Sequence, residues 1–204
     1  MGDMVKAPAR THTKDLFLDA AERLLVRVGY HRITTRAVAE EAGANHGLIH
    51  YYFGSMDELF VQVLERFTER LIERQRSMYS ADLPFIEKWR AAMSYLEEDL
   101  ASGYQKVWLE LQALAWNKPD LRDRTARVNA EWRSVVADAI SQATKEYRLD
   151  TSSFPIQAIA SLVMTFNLGI MLERHSGVSD GHRELLGAID GWLESLEERR
   201  EEAR

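Results

Sequence analysis

The spacing of the apolar residues constrains this fold most, because they recur every three or four positions along nearly the whole chain of 204 residues. That spacing places apolar side chains on one face of an α-helix. No segment shows the strict alternation of apolar and polar residues that predicts a half-buried strand. The sequence therefore predicts an all-α protein, with about nine helices in total.

Glycine and proline residues divide the pattern into separate helices. The first, at about 13–28, stops at Gly29, and the second, at about 35–42, has Thr34 or Thr35 as its N-cap and Gly43 as its terminator. The third spans about 45–53, and a capping box at 55–58 opens the fourth. Further helices are predicted at about 84–102, 104–116, 119–147, 155–175 and 182–199.

Composition narrows the classes of protein. The chain has no cysteine, which excludes disulfides, thiolate metal sites and a cysteine nucleophile. The first residues lack the apolar run of a signal peptide, so we expect a cytoplasmic protein. The most apolar stretch, 155–172, is barely long enough to span a bilayer and carries Gln157 and Asn167, which favours a buried core or interface helix.

The charge is unevenly distributed along the chain. The net charge of −6 argues weakly against a nucleic-acid partner. Residues 1–36, however, hold seven Lys or Arg against four Asp or Glu, whereas residues 55–204 hold 19 against 26. A less acidic N-terminal segment on an acidic body is what local contact with phosphates requires.

The short third helix carries an unusual density of bulky polar side chains, for which there are three interpretations. His46 and His50 stand four residues apart and could face one metal ion, but Gly47 stands where the zinc-protease motif has its glutamate, so we predict no metal site. A purely structural role is also unsatisfactory, because so short a helix has only one buried face. The four residues Leu48, Ile49, Tyr52 and Phe53 are enough to fill it.

The third interpretation is a nucleic-acid reading head. Two short helices joined by residues 43–45 describe a helix-turn-helix. Its second helix would present a polar surface to a major groove, formed by Asn45, His46, Gly47, His50 and Tyr51.

The segment ITTRAVAEEAGANHGLIHYYFGSMDELF resembles the DNA-binding domain of the tetracycline-repressor (TetR) family of bacterial transcription regulators. The likeness covers about residues 13–60. It implies a helix-turn-helix DNA-binding domain at 1–54 and a helical effector-binding and dimerisation domain at 55–204. It also implies a homodimer on a pseudo-palindromic operator, most often a repressor, which a small molecule releases by shifting the fourth helix.

The resemblance also implies individual DNA contacts. Phosphate contacts would come from Thr34, Thr35 and Tyr51, a guanine or phosphate contact from Arg36, and base contacts from Asn45, His46 and Gly47. Two positions depart from the family pattern: His50 stands where many relatives have tyrosine, and Met56 where they have lysine. Met56 cannot replace a cation, so DNA affinity would rest more on Arg10, Lys14 and Arg36.

The second half offers weaker signals. Nine side chains lie on helix faces that could line an effector cavity; the alternative is that they simply form the core. They are Met93, Trp108, Leu111, Trp132, Val136, Met164, Phe166, Asn167 and Met171. No basic cluster suggests an anionic site, so we expect a mostly apolar effector and no cofactor. Two other functions remain open: a helical small-molecule sensor without operator binding, and an all-α enzyme, although no catalytic motif appears.

Small residues at four-residue spacing form a ridge on each of the last two helices. One ridge is Ser161, Thr165 and Gly169, and the other is Gly187, Gly191 and Ser195. Glycine inside a helix costs roughly 1 kcal/mol relative to alanine, which suggests that something packs closely against it. The predicted packing partner is a second copy of the chain, through a four-helix interface on a two-fold axis. The alternative is close packing within one chain.

Overall fold

The computed structural model describes residues 7–116 and 118–203, and the side chains of residues 12–116, 118, 119 and 121–203. These residues form nine α-helices and no strand, which confirms the predicted all-α fold. The helices are α1 (Ala7–Val28), α2 (Thr35–Ala42), α3 (Gly47–Phe53), α4 (Met56–Ser80), α5 (Phe85–Ser102), α6 (Tyr104–Trp116), α7 (Pro119–Glu146), α8 (Ile156–His175) and α9 (His182–Glu202).

Most helix ends lie within a residue or two of their predicted positions, with two differences. Helix α1 begins at Ala7, about six residues earlier than predicted, and α9 ends at Glu202, about three residues later than predicted. A single 3-10 turn at Tyr30–Arg32, which the apolar spacing did not indicate, connects α1 to α2.

The helices group into two compact units. The first contains the described residues up to Glu69 together with Ser102–Thr125, and the second contains Arg70–Ala101 with the described residues from Ala126 onward. Helix α4 therefore contributes its first part to one unit and its last part to the other. The functional division at 1–54 and 55–204 stays a prediction, because compactness groups residues by packing and not by role.

The first unit is organised around a single apolar core. Phe17 and Leu25 of α1, Ile49 of α3 and Phe60 of α4 are almost completely buried in it. Helix α6 adds Val107, which is also almost completely buried. Because α1, α3, α4 and α6 all bury side chains in this core, the orientation of the short α3 is set by three longer helices.

Ion pairs join the helices of the first unit at its surface. Arg124 of α7 contacts Glu58 at 2.6 Å through Nη1 and Glu65 at 2.7 Å through Nε. Lys118 pairs with Asp57 in the first turn of α4. These contacts connect the first half of α4 to the segment that follows α6.

The second unit has its own apolar contacts. Ile86 of α5 packs with Leu193 and Leu196 of α9. The end of α7 holds the start of α5: Glu146 Oε1 accepts a hydrogen bond from the Phe85 amide at 3.1 Å, and Tyr147 accepts one from the Ile86 amide. Burial raises the pKa of Tyr147 to about 12.

Helix α8 is apolar but largely exposed in the single chain. Among the described residues it is the one helix long and apolar enough to cross a membrane, with a mean hydropathy of 1.5, yet only 17% of its most apolar window is buried. Leu162 and Leu172 are more than half exposed. The sequence predicts either a buried core helix or an interface helix for this stretch. Within a single chain, the helix is not buried in the core.

The large apolar residues of α9 do not all lie on one buried face. Leu193 and Leu196 are buried and Ile189 is half-buried, but Leu185 and Trp192 are about half exposed. The buried stripe follows the i, i+4, i+7 row of the helix, and Trp192 lies about 100° away from Leu193 around the axis. Trp192 therefore adds to the exposed face.

Gly43 and Gly47 form a matched pair for testing backbone strain. Gly43 adopts a left-handed backbone with φ of 64°, and an added Cβ would meet nothing within 4 Å. We expect Gly43→Ala to lower the free energy of unfolding by about 1–2 kcal/mol through backbone strain alone. Gly47 has no positive φ, so Gly47→Ala should change stability by less than about 0.5 kcal/mol.

Chemical denaturation followed by circular dichroism, at one fixed protein concentration, measures both values. Equal losses in the two variants would contradict the assignment of the strained turn to Gly43.

Candidate nucleic-acid interface

The turn between α2 and α3 is a Schellman motif. The Ala44 amide donates to the Ala39 carbonyl at 2.9 Å, and the Gly43 amide donates to the Glu40 carbonyl at 3.1 Å. Glycine tolerates the left-handed conformation that this motif requires at its C′ position. The turn stops α2 and directs the chain into a second short helix, which completes the predicted helix-turn-helix.

The start of α2 is fixed by Thr34. Its Oγ1 accepts a hydrogen bond from the Ala37 amide at 3.1 Å, as an N-cap does. Thr34 is exposed, and Thr35, the first helical residue, is half-buried. The Thr34 oxygen is occupied by the cap, but its hydroxyl hydrogen can still be donated to a phosphate.

Helix α3 buries one face and exposes the other. Ile49 is completely buried and Phe53 is nearly so, with the Phe53 ring edge-on to Phe17 at 6.3 Å. Tyr52 is half-buried. The prediction that Leu48 fills this face is wrong, because Leu48 is 37% exposed. Leu48 precedes Ile49 by one position and therefore points about 100° away from the buried side.

Asn45 lies in the turn and not in the predicted third helix. Its Oδ1 accepts a hydrogen bond from the Gly47 amide at 2.9 Å. Asparagine often holds such a local turn in place of helix. Because its carbonyl oxygen is occupied, Asn45 has its side-chain N–H groups left to offer to DNA.

The structure exposes nearly all of the predicted DNA contacts on one helix-turn-helix. Among these eight residues only Thr35 is half-buried; the exposed ones are Thr34, Arg36, Asn45, His46, Gly47, His50 and Tyr51. Arg36 and His46 have no ion-pair partner within the described chain. Exposure is what DNA contact requires, and the individual contacts stay predictions.

The two departures from the family pattern have structural explanations. His50 Nδ1 lies 3.0 Å from the Gly54 carbonyl and donates its hydrogen there, so Nε2 is the ring nitrogen left for the predicted contact with DNA. Met56 is half-buried against the core of the first unit. Lys14 lies 5.8 Å from the centre of the Phe53 ring. Arg10, the other predicted replacement cation, has a side chain outside the described residues.

One acidic residue of α2 is neutralised by α1. Glu41 accepts hydrogen bonds from Arg23 and Arg27, each at 2.8 Å. These two bonds lower the pKa of Glu41 below its usual range. The pairing fixes α2 against α1.

The sequence reasoning missed Glu40. This residue is exposed and borders a hollow of about 460 Å³ together with Arg36, Asn45 and His46. The signal was present, because Glu40 follows Arg36 by four residues and must share its helix face. An acidic residue does not by its type suggest DNA contact, so the sequence alone does not single out Glu40.

The candidate effector residues are distributed over both units. Trp108 and Leu111 belong to the core of the first unit. Val136 is buried in the second unit, with Trp132 and Met164 half-buried around it. Half-buried positions in that unit are also occupied by Met93, Phe166 and Asn167. Their role stays a prediction.

Among the described residues there is no group of three or more acidic or histidine side chains that could hold a metal ion. His46 and His50 are both exposed and lack a third ligand.

Two exposed, polar helix faces joined by a tight turn define a helix-turn-helix protein. Residues 17–63 match the family described as bacterial regulatory proteins, tetR family. The N-terminal part of the chain, which contains the helix-turn-helix, therefore matches the TetR family of bacterial regulatory proteins.

Curated relatives agree with this assignment. The chain is 29% identical over 112 residues to the HTH-type transcriptional regulator YfiR of Bacillus subtilis, a match that covers 52% of each chain. It is 26% identical over 103 residues to the HTH-type transcriptional activator FasR of Mycolicibacterium smegmatis, covering 48% of this chain and 47% of that protein. The matched segment spans about half the length of these relatives.

Solved structures match over a longer range. A protein described as a TetR-family transcriptional regulator from a Rhodococcus species is 26% identical, with a TM-score of 0.71 over 89% of this chain and 99% of that one. A regulator from Saccharomonospora viridis in complex with choline is 21% identical, with a TM-score of 0.73 over 87% and 95%. FadR of Bacillus subtilis in complex with stearoyl-CoA is 17% identical, with a TM-score of 0.68 over 89% and 96%. The last two show the shared fold alone.

The predicted contacts of Arg36 and His46 can be tested directly. We expect Arg36→Ala to weaken specific DNA binding by about 1–3 kcal/mol, as the loss of a bidentate base contact does, and His46→Ala to weaken it as well. Fluorescence anisotropy measures both changes in affinity, with an operator that has been selected from random DNA by the wild-type chain.

Arg76→Ala serves as the control, because Arg76 is exposed in the second unit and its loss removes the same charge. Wild-type affinity in both the Arg36 and the His46 variants would contradict their assignment.

Proposed function

We propose that the chain is a ligand-responsive DNA-binding transcriptional regulator that acts in the cytoplasm as a homodimer. The observation that carries this proposal is the helix-turn-helix, whose exposed face holds Arg36, Asn45 and His46 with hydrogen-bond donors available. The family match over residues 17–63 supports it. We assign to this face the phosphate and base contacts predicted from the sequence.

Dimerisation would pair the exposed faces of α8 and α9. A Cβ added at Gly169, Gly187 or Gly191 would meet nothing within 4 Å in the single chain. Close packing within one chain, the alternative explanation of these glycines, therefore has no support from the described residues. Leu162, Leu172 and other large apolar side chains flank the ridges and are exposed. A second copy of the chain would cover both features at once.

The other residues of the two small-residue ridges are also accessible to a second copy of the chain. Ser161, Thr165 and Gly187 are exposed, and Ser195 is half-buried. Ser161 Oγ accepts a hydrogen bond from Arg133 at 2.8 Å, which leaves its hydroxyl hydrogen for a partner.

We infer that the effector is small and mostly apolar, and that it binds among the helices of the second unit. Support comes from the cluster around Val136, with its half-buried Trp132 and Met164. Fold neighbours have been solved with choline and with stearoyl-CoA. Asn167 is the polar residue we propose to orient the effector.

The proposed response uses α4, which continues from the first unit into the second. An effector that prefers one position of α4 would shift the population toward it. The first half of α4 carries Asp57, Glu58 and Glu65, which pair with Lys118 and Arg124. A shift of α4 would change the spacing of the two reading heads, and we propose that this releases a repressed operator.

Operator selection from random DNA tests the function. We expect the purified full chain to enrich a site with two inverted halves, bound with a strong salt dependence. No enrichment over the starting pool would overturn the proposal. Adding small apolar compounds to the complex then tests release, with a rise in melting temperature as an independent measure of effector binding.

The dimer is tested at Gly191. We expect Gly191→Leu to give monomers or a weakened dimer in analytical ultracentrifugation, and to lose operator affinity with it, because a bulky side chain would separate the helices. Gly191→Ala is the matched control for folding. In the monomer an exposed helical alanine stabilises by about 1 kcal/mol relative to glycine. A stable Gly191→Leu dimer with unchanged operator affinity would place the interface elsewhere.

A further inference from the structure

The hollow between α2 and the start of α3 is open to solvent and has mixed chemistry. It is lined by Arg36, Ala39, Glu40, Ala44, Asn45 and His46, and its volume is about 460 Å³. Ala39 and Ala44 carry only methyl groups, which leaves room between the longer polar side chains. The hollow lies in the helix-turn-helix, where DNA contact is proposed.

Three of the polar side chains around this hollow can donate hydrogen bonds. Arg36 carries a guanidinium with donors only. The Asn45 carbonyl oxygen already accepts from the Gly47 amide at 2.9 Å, so its remaining polar group is the NH2 donor. His46 is exposed and offers a ring N–H.

Glu40 is the exception, because an ionised carboxylate only accepts hydrogen bonds. It has no ion-pair or hydrogen-bond partner in the described part of the chain. The next residue, Glu41, is held by both Arg23 and Arg27. An unpaired carboxylate in a DNA-binding face is repelled by phosphates, so a favourable contact between Glu40 and DNA requires a hydrogen-bond donor on the DNA.

The edges of the bases restrict which donor this can be. In the major groove cytosine presents its N4 amino group, whereas guanine and thymine present acceptors at the corresponding edge. Adenine presents an amino group beside the N7 acceptor, a pair that suits an amide better than a carboxylate. Arg36 stands one helical turn from Glu40 on the same face, and arginine is suited to guanine.

We propose that Glu40 reads the N4 amino group of a cytosine in each half of the operator, beside a guanine contacted by Arg36. Glu40 is then a specificity-determining residue, and this assignment rests on the proposed DNA-binding function. The contact lowers general affinity for DNA and raises discrimination between bases.

Operator selection with the wild-type chain, Glu40→Ala and Glu40→Gln tests the proposal. We expect the wild type to require cytosine at one position of each half-site. Replacing that cytosine by thymine exchanges the N4 donor for an O4 acceptor and should weaken wild-type binding by about 5- to 150-fold.

In Glu40→Ala the preference at this position should disappear. In Glu40→Gln thymine should become as good as cytosine, because the amide can donate to O4 or accept from N4. The measured quantity is the ratio of affinities for the two operators at one salt concentration, so the general effect of removing a negative charge cancels.

Glu69→Gln is the matched control, since Glu69 is exposed on α4 and has no described partner. It should keep the wild-type ratio. Circular dichroism confirms that each variant folds, which the exposure of Glu40 leads us to expect.

Two negative outcomes are distinguishable. If the wild type selects an operator but the Glu40 variants keep every base preference, Glu40 does not read DNA and the DNA-binding function stands. If no version of the chain selects any sequence, both the function and the assignment of Glu40 are overturned.

Discussion

The burial of one face of α3 is the constraint on which the candidate interface depends. A helix of seven residues, Gly47–Phe53, is too short to be stable in water by itself. It persists because Ile49 and Phe53 are buried in a core that Phe17 of α1 and residues of α4 and α6 complete. Since two side chains determine which way α3 faces, they also determine that His46, His50 and Tyr51 point outward. A change in that core would therefore act on DNA contact without touching a DNA-facing residue.

The charged side chains of α2 differ in whether they have an ion-pair partner. Of the three charged residues of α2, Glu41 is bound by two arginines, while Arg36 and Glu40 have no described partner. Salt bridges at a surface contribute little to stability, commonly about 0–1 kcal/mol. In this structure they pair the carboxylate of Glu41 and leave that of Glu40 unpaired beside the candidate interface. The difference between Glu40 and Glu41 is a difference of helix face, about 100° apart.

The exposed apolar surface of the second unit is a property that a single chain cannot explain. Helix α8 places Leu162 and Leu172 in solvent, and helix α9 places Trp192 there. The helical glycines beside them have open space where a neighbour would be. Glycine within a helix is costly and exposed leucine is unfavourable, so both features support the proposed dimer interface. Dimerisation and the positioning of two reading heads would then be one physical event.

The sequence by itself determined the helices and the helix-turn-helix, because apolar spacing, caps and terminating glycines are local properties that act within a few residues. The Thr34 cap and the Gly43 turn are both where their residue types predicted. Only the tertiary structure decided which side chains remain available. The side-chain oxygen of Asn45 accepts a hydrogen bond within the turn. Leu48 and Trp192 lie outside the buried faces of their helices. Glu41 is paired with arginine, whereas Glu40 has no described partner. The hydrogen bond of Asn45 is local, but the burial of the apolar side chains and the pairing of Glu41 depend on residues that are distant in the sequence, and periodicity carries no information about those.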